Sequence, residues 1–121
     1  MRGKDGPLGP SGDWSVRRAR VGSERVICAG ELDLRCRASL QQELDAALAD
    51  AKDRVMVDLS EVTFMDWTAL GVLISATERA GRGSILLVHP SRVARRLLAV
   101  TGTGGLFGLA QADEFSAPTG S

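Results

Sequence analysis

Residues 55–76 read VMVDLSEVTFMDWTALGVLISA, and the change of pattern inside this stretch decides the fold. Val55-Met56-Val57-Asp58-Leu59 is β-branched and apolar at both parities, the composition of a central strand covered on more than one side. Ser60-Glu61 reads as a turn, with Val62 to Met65 as a further extended piece. Asp66 then stands where a helix N-cap belongs, because a carboxylate accepts hydrogen bonds from first-turn N–H groups that have no helical partner. Leu70, Leu73, Ile74 and Ala76 follow at helical spacing, and Gly81 closes the helix as a C′ residue.

Upstream, Trp14 to Arg20 alternates imperfectly, Gly22-Ser23 reads as a turn, and Arg25-Val26-Ile27-Cys28-Ala29 is a short apolar run. Two strands joined as a hairpin is the simplest reading. After Gly30, the segment Glu31-Leu32-Asp33-Leu34 leads into Leu40, Leu44, Ala47, Leu48 and Ala51, one face of an amphipathic helix. Downstream, Ser84 to Val88 is another buried strand, ended by His89-Pro90. Ser91 to Val100 carries Val93, Ala94, Leu97 and Leu98 on one face. Arg92, Arg95 and Arg96 lie on the other, read as a solvated face with partner docking left open. Gly102, Gly104 and Gly105 stop this helix, and Leu106 to Leu109 reads as a short edge strand. Strands joined through helices predict an α/β fold, a mixed β-sheet of four to five strands with amphipathic helices packed against it.

The chain has 121 residues, 44% apolar and 25% charged, which fits one ordinary globular domain able to bury its own core. The expected organisation is a leader over residues 1–12, a folded domain over 13–112 and a tail over 113–121, with the Gly- and Pro-rich ends taken as disordered. Fifteen basic and fifteen acidic residues cancel, so the broad field of a nucleic-acid binder or a polybasic membrane anchor is absent. Apolar runs are too short to span a bilayer, and Met1 to Gly12 has no apolar core of a secretory signal. A cytoplasmic location is therefore expected. Cys28 and Cys36 lack CxxC spacing and are expected as thiols, Cys28 packing as a small apolar group.

His89 is the single histidine and sits before a proline, away from any second ligand, so a turn role is expected. Thr101-Gly102-Thr103-Gly104-Gly105 follows a helix, whereas a phosphate-cradling loop follows a strand and opens a helix. Asp33, Asp58 and Asp66 lack the dense oxygen spacing of a calcium loop and read as caps and turns. No enzyme, metal, cofactor or small-molecule substrate is implied.

Four segments in register carry a family resemblance: Gly30-Glu31-Leu32-Asp33, then Val57 through Asp66, then Leu70-Gly71-Val72-Leu73, then Ser91 through Leu98 with Thr101-Gly102. Together they resemble the STAS domain of bacterial anti-anti-sigma factors, from about Trp14 to Leu109. The resemblance implies a cytoplasmic regulator that binds an anti-sigma factor, usually a serine-protein kinase of the histidine-kinase-like type, and so releases a sigma factor. In that family the turn after the third main strand reads Asp-Ser-Ser/Thr-Gly, and its first serine is phosphorylated to end the interaction. Here the turn is Asp66-Trp67-Thr68-Ala69, so Trp67 stands at the phosphoserine position.

Indole has no hydroxyl, and the usual switch cannot operate there. A phosphate would bring a charge of about −1.5 to −2 beside Asp66; Trp67 brings a large amphipathic anchor instead. Three readings remain open: Thr68 as an alternative phosphoacceptor, constitutive binding with Trp67 as a hot spot, or a changed partner, as in STAS subunits of signalling scaffolds or lipid-transport assemblies. The expected partner-binding residues are Asp33, Asp66, Trp67, Thr68 and Ala69. Trp67 is expected at the surface, Ala69 is expected to add its methyl to the same surface, and Asp33 is implied by the resemblance to lie in the adjoining loop.

Overall fold

The structure, a computed structural model, describes residues 14–20 and 22–109, and of 108 and 109 only the backbone. The expected leader and tail, and the exact domain ends, lie outside the described residues. Strands β1 (Trp14–Arg20) and β2 (Glu24–Leu32) form the expected antiparallel hairpin. Helix α1 (Arg37–Asp50) follows a 3-10 turn at Leu34–Cys36, then come β3 (Val55–Met65), α2 (Trp67–Ala80), β4 (Ile85–Val88), α3 (Arg92–Thr101) and β5 (Gly108–Leu109). The five strands form one sheet in chain order, with β2 to β5 mutually parallel. Each parallel step crosses over through a helix, because parallel neighbours cannot be joined by a tight turn.

One expectation is corrected. Ser60-Glu61 does not turn the chain: β3 runs unbroken for 11 residues. Between Ile27 and Ala29, β2 advances two residues while β3 advances three, from Asp58 to Glu61, and a second shift lies between Gly30 and Glu31. Each is a bulge that inserts one extra residue into β3. At the first, the Asp58 carboxylate accepts from Ser60 N–H at 2.9 Å and from Ser60 Oγ at 2.7 Å. That is a turn-forming hydrogen-bond pattern used inside a strand. The buried positions are therefore Val55, Val57, Leu59, Val62 and Met65, a spacing of two that widens to three at each bulge. Both Thr63 and Phe64 are left facing solvent.

The core gathers Val26 and Cys28 of β2, Leu40, Leu44 and Ala47 of α1, Val57 and Leu59 of β3, and Leu70, Leu73 and Ala76 of α2, all fully buried. Burial raises the Cys28 thiol far above its ordinary range and pushes Cys36 up to about 11, which leaves both protonated and poor nucleophiles. At the turn end of the hairpin, the buried Glu24 carboxylate accepts from Arg18 and Arg20, each at 2.7 Å, and these bonds hold its carboxyl below the usual range. His89 ends β4 with a left-handed φ of 48°, on the surface, as a turn residue. Gly102 takes φ 68° and donates its N–H to Ala99 O, while Thr103 N–H reaches Leu98 O, so the glycine cluster is a helix stop.

Candidate functional site

Parallel strands end together, and the loops leaving their carboxyl ends lie side by side. Here the ends of β2 and β3 are tied directly: Asp66 N–H donates to Leu32 O at 3.2 Å. The Asp33 loop and the Asp66 turn are thus neighbours, as the resemblance implied.

Asp66 is the N-cap of α2. Its Oδ1 accepts from the N–H groups of Thr68 at 2.9 Å and Ala69 at 3.2 Å. Replacing it with Ala leaves two first-turn donors without that acceptor, and the expected cost is about 1 kcal/mol, read as a lower urea midpoint at unchanged m-value. The Asp33 carboxylate accepts from Arg35 N–H at 3.0 Å and is clasped by the Arg35 guanidinium at 3.0 and 3.1 Å. This hydrogen bonding holds the Asp33 carboxyl below the ordinary aspartate range. Arg35 also reaches Glu31 at 3.1 Å, so Asp33 belongs to a cluster in which one guanidinium is shared by two carboxylates, and it is not a bare anion.

Trp67 is 65% exposed immediately after the cap, as anticipated for a first-turn residue. Thr68 is half-buried. Ala69 departs from expectation: it is fully buried, so its methyl packs into the core and adds nothing to the exposed face. The reason is helical periodicity. Ala69 shares the inward arc with Leu70, Leu73 and Ala76, while Trp67, Gly71 and Ser75 share the outward one.

Two exposed apolar residues escaped sequence reasoning. Among the described residues the exposed large hydrophobics are Leu34 at 64%, Phe64 at 47%, Trp67 and Val100. The first three flank the two adjoining loops. Leu34 sits in the 3-10 turn beside Asp33, and Phe64 is Cα-paired with Glu31 at the far end of β3. A leucine between Asp33 and Arg35, outside any periodic run, was the available signal for the first. For Phe64 there was none, because its exposure follows from the second bulge. A shallow groove of about 530 Å³ runs beside Trp67, with Arg37 and Gln41 of α1 on one wall and Thr68, Gly71 and Ser75 of α2 on the other. Nothing lies within 4 Å of where a Gly71 Cβ would stand, which keeps the groove open.

The family model described as "Mlab, STAS domain" matches residues 16–109. The chain belongs to the STAS-domain family. This STAS domain is similar to the solved structure of an anti-sigma factor antagonist from Mycobacterium paratuberculosis, 26% identical, with a TM-score of 0.73 over 90% of this chain and 96% of that one. The anti-sigma factor antagonist SpoIIAA in its unphosphorylated form is 20% identical, with a TM-score of 0.62 over 88% of this chain and 98% of its own. The Bacillus cell fate determinant SpoIIAA in its phosphorylated form is also 20% identical, with a TM-score of 0.58 over 87% and 99%. The last two share the fold. No match is found among the curated proteins. No group of three or more metal-binding side chains and no helix long and apolar enough to cross a membrane occurs among the described residues of this STAS domain.

Proposed function

We propose that this STAS domain is a non-catalytic, anti-anti-sigma-factor-like regulator. It acts in the cytoplasm by docking on an anti-sigma factor of the serine-protein-kinase type and so influences sigma-factor-dependent transcription. The observation that carries the reading is Trp67, 65% exposed on the first turn of α2, at the place where the family resemblance puts a phosphoserine. The docking face comprises Trp67 and Thr68, the Asp66 cap, the Asp33 loop, and the added apolar groups Leu34 and Phe64. Ala69 supports it from behind.

With indole at residue 67, no phosphoryl group is accepted there, and docking is constitutive. A pull-down from the source cell with the wild-type domain, repeated with Trp67→Ala, tests this. Recovery of a kinase-type anti-sigma factor by the wild-type domain alone is the expected result. Recovery of transporter or scaffold subunits instead supports the rival reading of an assembly subunit. Incubation with the recovered kinase and ATP, followed by mass spectrometry, decides whether Thr68 is a phosphoacceptor. The constitutive reading expects Thr68 to stay unlabelled while a known substrate of the kinase is labelled.

A further inference from the structure

Helix α3 carries a set of charges that the docking face does not use. Arg92, Arg95 and Arg96 are all exposed, and none forms an ion pair or side-chain hydrogen bond among the described residues. Several other arginines are paired: Arg18 and Arg20 hold Glu24, Arg25 faces Asp58, Arg35 holds Asp33, and Arg79 holds Asp45. Arg17, Arg37 and Arg82 are unpaired among the described residues too, but they stand on separate elements, whereas the three of α3 share one helix. No Asp or Glu occurs anywhere between Glu78 and Asp113, so α3 has no acidic residue of its own to answer the three guanidinium groups.

Their spacing puts them together. At about 100° per residue, positions 92, 95, 96 and 100 fall within one arc of roughly 140°, and residues 92 to 100 span about 12 Å of axis. The fourth position is Val100, 75% exposed, the most exposed large hydrophobic among the described residues. Of the helix's other apolar groups, Ala94 and Leu98 are buried, Val93 and Leu97 pack partly buried against the core, and Ala99 is exposed. The outward stripe is therefore three free cations followed, one turn on, by the exposed Val100 with the small Ala99 beside it.

We infer that this stripe is a second docking surface, for an acidic segment of a partner protein in which neighbouring carboxylates are followed by an apolar side chain. Guanidinium groups match carboxylates in a bidentate fork, and two or three within one turn and a quarter of helix suit a short run of acids. Charge complementarity selects this occupant over the other polyanions. Nucleic acid needs a broad basic surface, and the chain's formal net charge is zero. Anionic membranes are held by about four to eight clustered basic residues or by a free apolar helix face; α3 offers three arginines and has buried its apolar face.

The test uses fluorescence anisotropy with a labelled peptide of alternating Glu-Asp pairs and leucines, the full chain being titrated in. Joint Arg92→Glu, Arg95→Glu and Arg96→Glu replacement is expected to weaken binding about tenfold or more, and circular dichroism confirms the fold. Val100→Ser is expected to weaken the leucine-containing peptide and leave a leucine-free acidic peptide unchanged. Trp67→Ala is expected to leave both unchanged, which separates this surface from the first. Equal binding by the triple variant overturns the inference. So does loss of binding on Trp67→Ala, or tighter binding of a single-stranded oligonucleotide or phosphatidylserine vesicle than of the peptide.

Discussion

Replacing Trp67 with Ala is expected to weaken docking on the partner by about 2 kcal/mol or more, roughly a thirtyfold rise in Kd, with little change in thermal stability. The two halves of that expectation have separate causes. The side chain is 65% exposed, so the folded domain gains little from it, and truncating an exposed group away from caps and core usually changes stability by no more than about 0.5 kcal/mol. A partner that covers it, however, removes a large amphipathic surface from water, and tryptophan is enriched among residues that dominate binding energy. Isothermal titration calorimetry against the purified partner reads the first half and a melting curve the second. Unchanged affinity would remove Trp67 from the docking face. A drop in Tm of many degrees would mean that the indole works inside the domain instead.

Leu70→Ala, three residues along the same helix, is expected to do the reverse. Leu70 is fully buried among the residues joining α2 to the sheet. Deleting its isobutyl group loses transfer free energy and leaves a cavity, together about 3 kcal/mol within the range of about 2–5 seen for buried leucines. For a domain of this size that corresponds to a fall in Tm of roughly 10 °C or more. At a temperature where the variant remains folded, its partner affinity should match wild type, because Leu70 reaches no partner. Urea denaturation, with the binding titration run below the unfolding transition, checks both. A loss of less than about 1 kcal/mol would show that α2 packs more loosely than its burial implies.

The contrast between Trp67 and Leu70 also marks how far sequence reasoning reaches. The strand-cap-helix order around Asp66, the hairpin at Gly22, and the stop at Gly102 were all legible, because each depends on chemistry within a few residues: a carboxylate beside free N–H groups, a glycine that accepts positive φ. The exposure of Trp67 was legible for the same reason. Ala69 was misplaced on the surface because a sequence shows that a helix begins but not which arc of its first turn meets the sheet. Ser60-Glu61 was misread as a turn because an aspartate that bonds two residues ahead makes the same local pattern in a turn and in a bulge.

Phe64 was missed for a reason of a different order. Whether an apolar residue on a strand faces in or out depends on register with the neighbouring strand, and the two bulges in β3 shift that register. The buried Glu24, held by Arg18 and Arg20, is likewise a product of hairpin pairing and not of anything adjacent to it.

The sequence by itself therefore determined the element order, the carboxylate cap that starts α2, the glycines that stop α2 and α3, and the absence of a hydroxyl at residue 67. These rest on short-range hydrogen bonding and on side-chain chemistry, which need no partner strand. Only the tertiary structure decided that the Asp33 and Asp66 loops are bound through Leu32, that Ala69 turns inward, and that Leu34 and Phe64 join Trp67 at one end of the sheet. Those outcomes depend on which strands lie side by side and in what register, a long-range choice settled by burying the whole core at once.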